Sequence, residues 1–181
     1  MRGRYLVAVS AALAIGALTA ATIAWGGASS RQVQMLDNCD GPTFNAALDD
    51  PTACSRNGGL TFDKFIAALL ERGAVESWRF SPNQLSVDAG GTITAVNRGG
   101  ESHTFSEVEE FGGGCIQEVN DLLGLEAVDE CAGFPGPPGI LFFVSTLAAP
   151  GESVTTEPLA AGTHRFLCLI HPWMRTTVTA N

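Results

Sequence analysis

The stretch that decides the fold lies near the C-terminus and reads Cys168-Leu169-Ile170-His171-Pro172-Trp173-Met174. It places a thiolate, an imidazole and a thioether close together in a loop between two predicted strands. Thiolate and thioether sulfur are soft ligands and imidazole is borderline, so this combination suits copper better than other common metals. Zinc normally draws on further cysteine or histidine and seldom on methionine. The loop therefore predicts a copper site with Cys168, His171 and Met174 as ligands.

The histidines limit what such a site can be. A trigonal site of two histidines and one cysteine needs a second imidazole, and His103 is the obvious donor because it lies on a predicted strand that could run beside the loop. The only other histidine, His164, alternates with Phe166 and Cys168 and is predicted to be structural, facing the interior. A three-histidine or trinuclear catalytic copper site cannot be built from the one histidine left over. The chain is therefore predicted not to be an enzyme.

The sequence around the loop alternates with the period of two that is typical of strands. Strands are predicted at 84–88, 92–97, 102–107, 140–145, 152–157, 163–168 and 176–179. Short strands joined by Gly- and Pro-containing turns indicate an antiparallel sandwich or barrel. We place this domain at 78–181, with an insertion at 108–139 that holds one predicted helix.

The segment at 29–77 is predicted to be an extension that is loop-rich up to residue 60 and then helical. Thr61 has the character of a helix N-cap and Gly73 that of a stop. Between them, apolar residues recur at helical spacing: Phe62, Phe65, Ile66, Leu69 and Leu70. So short an amphipathic helix is marginal alone and is expected to pack onto the following domain.

Four of the five cysteines fall into two local pairs. Four cysteines allow three connectivities, and we favour Cys39–Cys54 together with Cys115–Cys131 because each pair lies in its own segment. This pairing leaves Cys168 alone. Disulfides are typical of exported proteins.

The N-terminus has the pattern of an export signal. Residues 5–25 carry no charge and follow two arginines. Residues 1–28 are therefore predicted to be a signal peptide cleaved before Ser29, or else a membrane anchor formed by residues 5–25. Both readings put the remaining chain outside the cytoplasm, whether periplasmic, secreted or at the cell surface.

The charge of the chain limits its partners. Ten Lys and Arg against 19 Asp and Glu give a formal net charge of −9. Nucleic acid is excluded as a partner because neutralising phosphate needs clustered basic residues. An acidic surface instead steers the protein towards a partner with a basic docking surface.

These features together resemble the cupredoxin (blue copper) family. The spacing C-x-x-H-x-x-M is similar to the ligand loop of the amicyanin and plastocyanin branch. The segment 162–168 resembles the family's strand G-x-Y-x-F-x-C, with His164 in place of the usual tyrosine. The run Asn97-Arg98-Gly99-Gly100-Glu101-Ser102-His103 resembles the family's approach to its first histidine. The likeness covers 78–181 without the insertion.

The resemblance implies an all-β, cupredoxin-like antiparallel Greek-key β-sandwich with one copper ion per chain. His103, Cys168 and His171 would form the equatorial plane and Met174 the axial contact. His171 would place its ring edge near the surface, where electrons pass. The asparagine that often follows the first histidine, and braces the loop, is here Thr104.

The function that the resemblance implies is single-electron transfer by Cu(II)/Cu(I) cycling, with a cytochrome or oxidase as redox partner. An alternative is copper storage or delivery outside the cytoplasm. A third reading is a disulfide-stapled interaction module that binds no copper.

Overall fold

The computed structural model describes residues 29–181. The strands are β1 (Ser30–Leu36), β2 (Arg79–Ser81), β3 (Gln84–Val87), β4 (Thr92–Asn97), β5 (His103–Thr104), β6 (Ser106–Val108), β7 (Leu147–Ala148), β8 (Ser153–Thr155), β9 (Gly162–Leu167) and β10 (Arg175–Ala180). The α-helices are α1 (Gly41–Leu48), α2 (Phe62–Arg72), α3 (Gln117–Leu123) and α4 (Gly139–Ser145). A short 3₁₀ helix spans Asp129–Cys131.

Two four-stranded sheets form the body of the fold. The first has the strand order β2-β1-β4-β8 and the second β3-β10-β9-β6, while β5 pairs with β7. The pairings β1–β4 and β3–β10 are parallel and the others antiparallel. The predicted cupredoxin-like β-sandwich is confirmed. Its two parallel pairings differ from the antiparallel arrangement that the sequence predicted.

Apolar side chains from both sheets meet in one core. Val33 and Ile93 of the first sheet and Phe166 and Val178 of the second are all fully or almost fully buried in it. The rings of Phe105 and Phe166 stack with their centroids 4.3 Å apart. Alternating burial along β10, where every second residue is buried, shows the period of two from which its strand was predicted.

Strand β1 lies where the sequence predicted a loop-rich stretch. It sits in the middle of the first sheet, antiparallel to β2 and parallel to β4. Only Val33 and Met35 along it are fully buried. They alternate with Gln32 and Gln34 over four residues only, which is a weak signal for a strand. The predicted boundary between residues 77 and 78 therefore separates two strands that pair, and the domain division stays a prediction.

Helices α1 and α2 fill the connection from β1 to β2. Helix α2 occupies the predicted span and ends at Gly73, whose φ of 68° is a left-handed conformation that favours glycine. Thr61 stands at the predicted N-cap, but its side chain makes no capping bond. The hydroxyl of Thr43 accepts the N–H of Phe62 instead, at 3.1 Å. The predicted Cys39–Cys54 disulfide is present and joins the segments before and after α1.

The insertion packs on the outside of the second sheet around a smaller apolar core. The predicted Cys115–Cys131 disulfide is present in that core, next to Leu167 and Leu169. The strand predicted at 140–145 is wrong, because these residues form helix α4. A short apolar run has the same pattern in a buried strand and in a helix. The Pro- and Gly-rich segment before the helix caps its start: the carbonyls of Ala132 and Gly136 accept the N–H groups of Gly139 and Ile140.

The predicted signal peptide or anchor at 1–28 lies outside the described residues. Within residues 29–181, none of the helices has the length and apolar character needed to cross a bilayer.

Candidate metal centre

The thiol of Cys168 lies at the end of β9, fully buried, between two imidazole rings. Its Sγ is 3.9 Å from Nδ1 of His103 and 3.8 Å from Nδ1 of His171. Among the described residues, Cys168 is the one free cysteine. Burial raises the pKa of this thiol, but hydrogen bonds and charge interactions with the two rings outweigh burial and hold its pKa well below the ordinary value. The two imidazole rings therefore stabilise the thiolate form of Cys168.

His103 is held by a carboxylate on the side away from the thiol. It lies in β5 with no solvent exposure, and its Nε2 is 2.8 Å from Oδ2 of Asp37. Burial of the ring lowers its pKa, whereas the bonds to Asp37 and Cys168 raise it, and the result is a pKa of about 9. The carboxyl of Asp37 is buried as well, which raises its pKa. Bonds from the ring and from backbone N–H groups reverse this effect and leave that pKa at about 2.

His171 lies in the turn after Cys168, beneath a layer of aromatic rings. Its ring centroid is 5.4 Å from that of Trp173 and 6.4 Å from that of Phe65 in α2. The residue is only 5% exposed, so these rings leave little of it open to solvent, and its role in passing electrons stays a prediction. The predicted extension, through Phe65, supplies part of this cover.

A second carboxylate faces His171. Oε2 of Glu101 lies 3.8 Å from Nε2 of His171, beyond hydrogen-bond length, and accepts the indole N–H of Trp78 at 2.5 Å. Burial raises the pKa of Glu101, and the charge of His171 and the indole bond oppose that rise without reversing it.

The loop that carries the site is closed by its own backbone. The N–H of Cys168 donates to the carbonyl of Met174, and the N–H of Met174 donates to the carbonyl of His171. Met174 has no solvent exposure and belongs to the core that contains Cys168. These bonds bring the backbones of Cys168 and Met174 together, and the role of Met174 as axial ligand stays a prediction.

Thr104 braces the ligand loop from the neighbouring strand. Its hydroxyl accepts the N–H of Leu169 at 2.7 Å and a bond from the hydroxyl of Ser106. Thr104 thus holds the loop beside β5, the task that the resemblance gives to an asparagine at this position. Threonine in place of asparagine therefore still supports the ligand loop.

The donor atoms of His103, Cys168 and His171 all lie within 4.8 Å of one another. Atoms bound to one ion at about 2.0–2.3 Å, as in zinc sites, can be at most about 4.4 Å apart, and the two measured sulfur–nitrogen separations meet that limit. The structure therefore brings together three of the four predicted site residues as a group that can hold one metal ion.

His164 lies away from this group. Its Nδ1 is 2.5 Å from Oε1 of Glu107 and its Nε2 is 2.8 Å from the carbonyl of Ala160. Both partners are acceptors, so the ring makes both bonds only when it carries two protons. The prediction that His164 is structural agrees with these contacts, although its side chain is partly exposed on β9 and does not face the interior.

Sequence reasoning missed the two carboxylates. Asp37 stands 66 positions before His103 in a stretch without a motif, and only the pairing of β1 with β4 brings it to the site. Glu101 stands in the quoted approach to His103, where the proximity of an acid to the histidine was a usable signal.

No protein-family model matches the chain, and no curated protein matches it. Several solved structures are similar to it. A purple cupredoxin from Nitrosopumilus maritimus is 13% identical, over 83% of this chain and 99% of that one, with a TM-score of 0.42. A reduced amicyanin mutant is 23% identical, over 57% and 73%, with a TM-score of 0.35.

The oxidised plastocyanin of Dryopteris crassirhizoma is 20% identical, over 57% of this chain and 89% of that one, with a TM-score of 0.35. In its own strand order and in its buried group of His103, Cys168 and His171, the chain has the cupredoxin-like fold that its sequence predicts.

Proposed function

We propose that the protein is a type 1 copper protein that carries single electrons outside the cytoplasm. The observation that carries this proposal is the buried thiol of Cys168, with Nδ1 of His103 and of His171 each within 3.9 Å of it. Two imidazoles, one thiolate and a nearby thioether are the donor set of copper electron-transfer sites. Bound copper would supply one-electron exchange between Cu(II) and Cu(I).

The chain's own residues suit this role by holding the ligands still and keeping water out. Thr104 and the loop backbone hold the ligand loop, and Phe65 and Trp173 cover His171. Because ligands in such a rigid setting move little, the same positions serve both oxidation states. Met174 is proposed as the axial ligand.

The remaining groups support electron transfer over catalysis. After His103 and His171 are assigned, the third histidine is bonded to Glu107 and to the Ala160 carbonyl, away from the site. No imidazole is then left for a second, catalytic copper. We therefore propose that the protein is not an enzyme.

The compartment and the partner are also proposals. Two disulfides favour an oxidising compartment. The net charge of −9 favours a redox partner with a basic docking surface, such as a cytochrome or an oxidase. Trp173 is partly exposed and its ring contacts that of His171 edge-on, so we place the electron entry point there.

The test is to load the purified protein with Cu(II) and record visible and EPR spectra, followed by voltammetry. We expect one copper per chain, an intense thiolate-to-copper band and a reversible one-electron wave. Cys168→Ser and His171→Ala should abolish the band, whereas His164→Ala, the matched control outside the site, should keep it.

Two other outcomes would contradict the proposal. A colourless protein that binds only Cu(I), and gives it up to competing apo-proteins, would favour storage or delivery. A wild-type protein that binds no stoichiometric copper would leave the reading of an interaction module.

A further inference from the structure

Asp37 is the most completely bonded side chain beside the metal centre. It follows β1, and its carboxylate has no solvent exposure. Oδ2 accepts the Nε2–H of His103 at 2.8 Å and the N–H groups of Gly100 and Glu101 at 2.8 and 3.1 Å. Oδ1 accepts the N–H groups of Cys39 and Gly100 at 3.2 and 2.9 Å. Both oxygens are thus used as acceptors, as an ionised carboxylate requires.

The backbone around this carboxylate is built to fit it. A Cβ at Gly99 would overlap the Asp37 side chain, so only glycine lets the chain approach so closely. On the other side, Cys39 is fixed by its disulfide to Cys54. Arg56 donates to the main-chain carbonyl of Asp37 at 3.0 Å. The carboxylate therefore has little freedom to turn away from His103.

We propose that Asp37 is a positioning residue of the metal centre, which keeps the Nδ1 of His103 free to bind copper and favours Cu(II) over Cu(I) through its charge. The inference rests on the proposed copper function. A carboxylate that accepts the Nε2–H of a histidine fixes its tautomer and ring orientation and makes the other nitrogen a stronger ligand. The negative charge of a carboxylate that is hydrogen-bonded to the ligand ring also stabilises Cu(II) more than Cu(I), because Cu(II) carries the higher charge.

The two histidines differ in their contact with a carboxylate. The ring of His103 is hydrogen-bonded to Asp37 at 2.8 Å, whereas that of His171 lies 3.8 Å from Glu101, whose oxygen is already used by Trp78. The effect on the copper should therefore come through His103, and Asp37 is the residue to change.

The test compares Asp37→Asn with Asp40→Asn. Asn keeps the size of the side chain and removes its charge. Asp40 is the matched control because its carboxylate also accepts bonds, from Thr43 and Gly58, but lies away from the histidines. Loss of such a partner costs about 10–100-fold in metal affinity. If only the affinity for Cu(II) falls, each tenfold loss raises the reduction potential of the one-electron couple by 59 mV, which gives a rise of about 60–120 mV.

The inference is overturned if wild-type protein is blue and gives a reversible wave, but the reduction potential shifts no more in Asp37→Asn than in Asp40→Asn. A wild-type protein that binds no copper would instead refute the proposed function, so the two failures are distinguishable.

A measurement on unaltered protein covers the case in which Asp37→Asn does not fold. In the diamagnetic Cu(I) form with ¹⁵N-labelled histidine, NMR should show a proton on Nε2 of His103 that exchanges slowly with water. A proton-free Nε2, or one whose proton exchanges as fast as in a free imidazole, would overturn the inference.

Discussion

Replacing Phe65 by alanine tests whether helix α2 is part of the metal centre or an appendage. Phe65 is 7% exposed, and its ring centroid is 4.8 Å from that of Trp78 and 5.4 Å from that of Phe44. The same ring covers His171 at 6.4 Å. Its removal should therefore weaken the packing of α2 and open a route for water to the ligand.

The size of the effect follows from the burial of the ring. Truncation of a buried phenylalanine to alanine costs about 3–5 kcal/mol. The aromatic contacts of Phe65 place it in the upper part of that range, because each such pair adds about 0.5–1.5 kcal/mol beyond burial. For a protein of this size, a loss of about 4–5 kcal/mol lowers the melting temperature by about 8–20 °C.

The assay is denaturant and thermal unfolding of the copper-free protein with its disulfides intact, and Leu70→Ala is the control. Leu70 lies in the same helix but is 61% exposed, so its truncation should change stability by no more than about 0.5 kcal/mol. In the copper-loaded form, Phe65→Ala should lose its metal to a chelator faster than Leu70→Ala.

If Phe65→Ala is as stable as Leu70→Ala and releases copper at the same rate, helix α2 does not pack on the metal centre in solution. The cover over His171 described above would then be wrong.

Three further changes have defined outcomes. Burial lowers the pKa of His164, but its bonds to Glu107 and to the Ala160 carbonyl raise this pKa by more, so the net shift is upward. The stability that His164 contributes is therefore present below about pH 6.5 and is lost as pH rises through the raised folded-state pKa. Glu107→Gln should flatten that part of the curve of unfolding free energy against pH, and an unchanged curve would contradict this assignment. Replacing both Cys115 and Cys131 by serine should cost about 3 kcal/mol, because the disulfide closes a loop of 16 residues, and equal unfolding midpoints would show that the bond is not formed. Thr104→Val removes the acceptor of a buried N–H in the ligand loop and should cost about 1–3 kcal/mol, measured by denaturant unfolding, with Thr155→Val on an exposed strand as the unaffected control.

The family resemblance could be read from the sequence because its evidence is local. Cys168, His171 and Met174 fall within one turn between two strands, so the chain itself keeps them close whatever the rest of the fold does. The two disulfides were predictable for the same reason, since each joins cysteines in one short segment.

Two elements were not predicted correctly because their sequence signals are weak or ambiguous. Strand β1 carries mostly polar residues and has only two fully buried positions. The apolar run at 140–145 has a pattern that fits either a strand or a helix, and its packing on the Cys115–Cys131 core decides for α4.

The sequence by itself determined which residues have the chemistry to bind copper and which strands carry them, because ligand type and spacing are properties of the chain. Only the tertiary structure decided what surrounds those ligands. Asp37 reaches His103 across 66 residues through sheet pairing, and Phe65 covers His171 through helix packing. Such contacts depend on distances in space between distant segments, and no spacing along the chain encodes them.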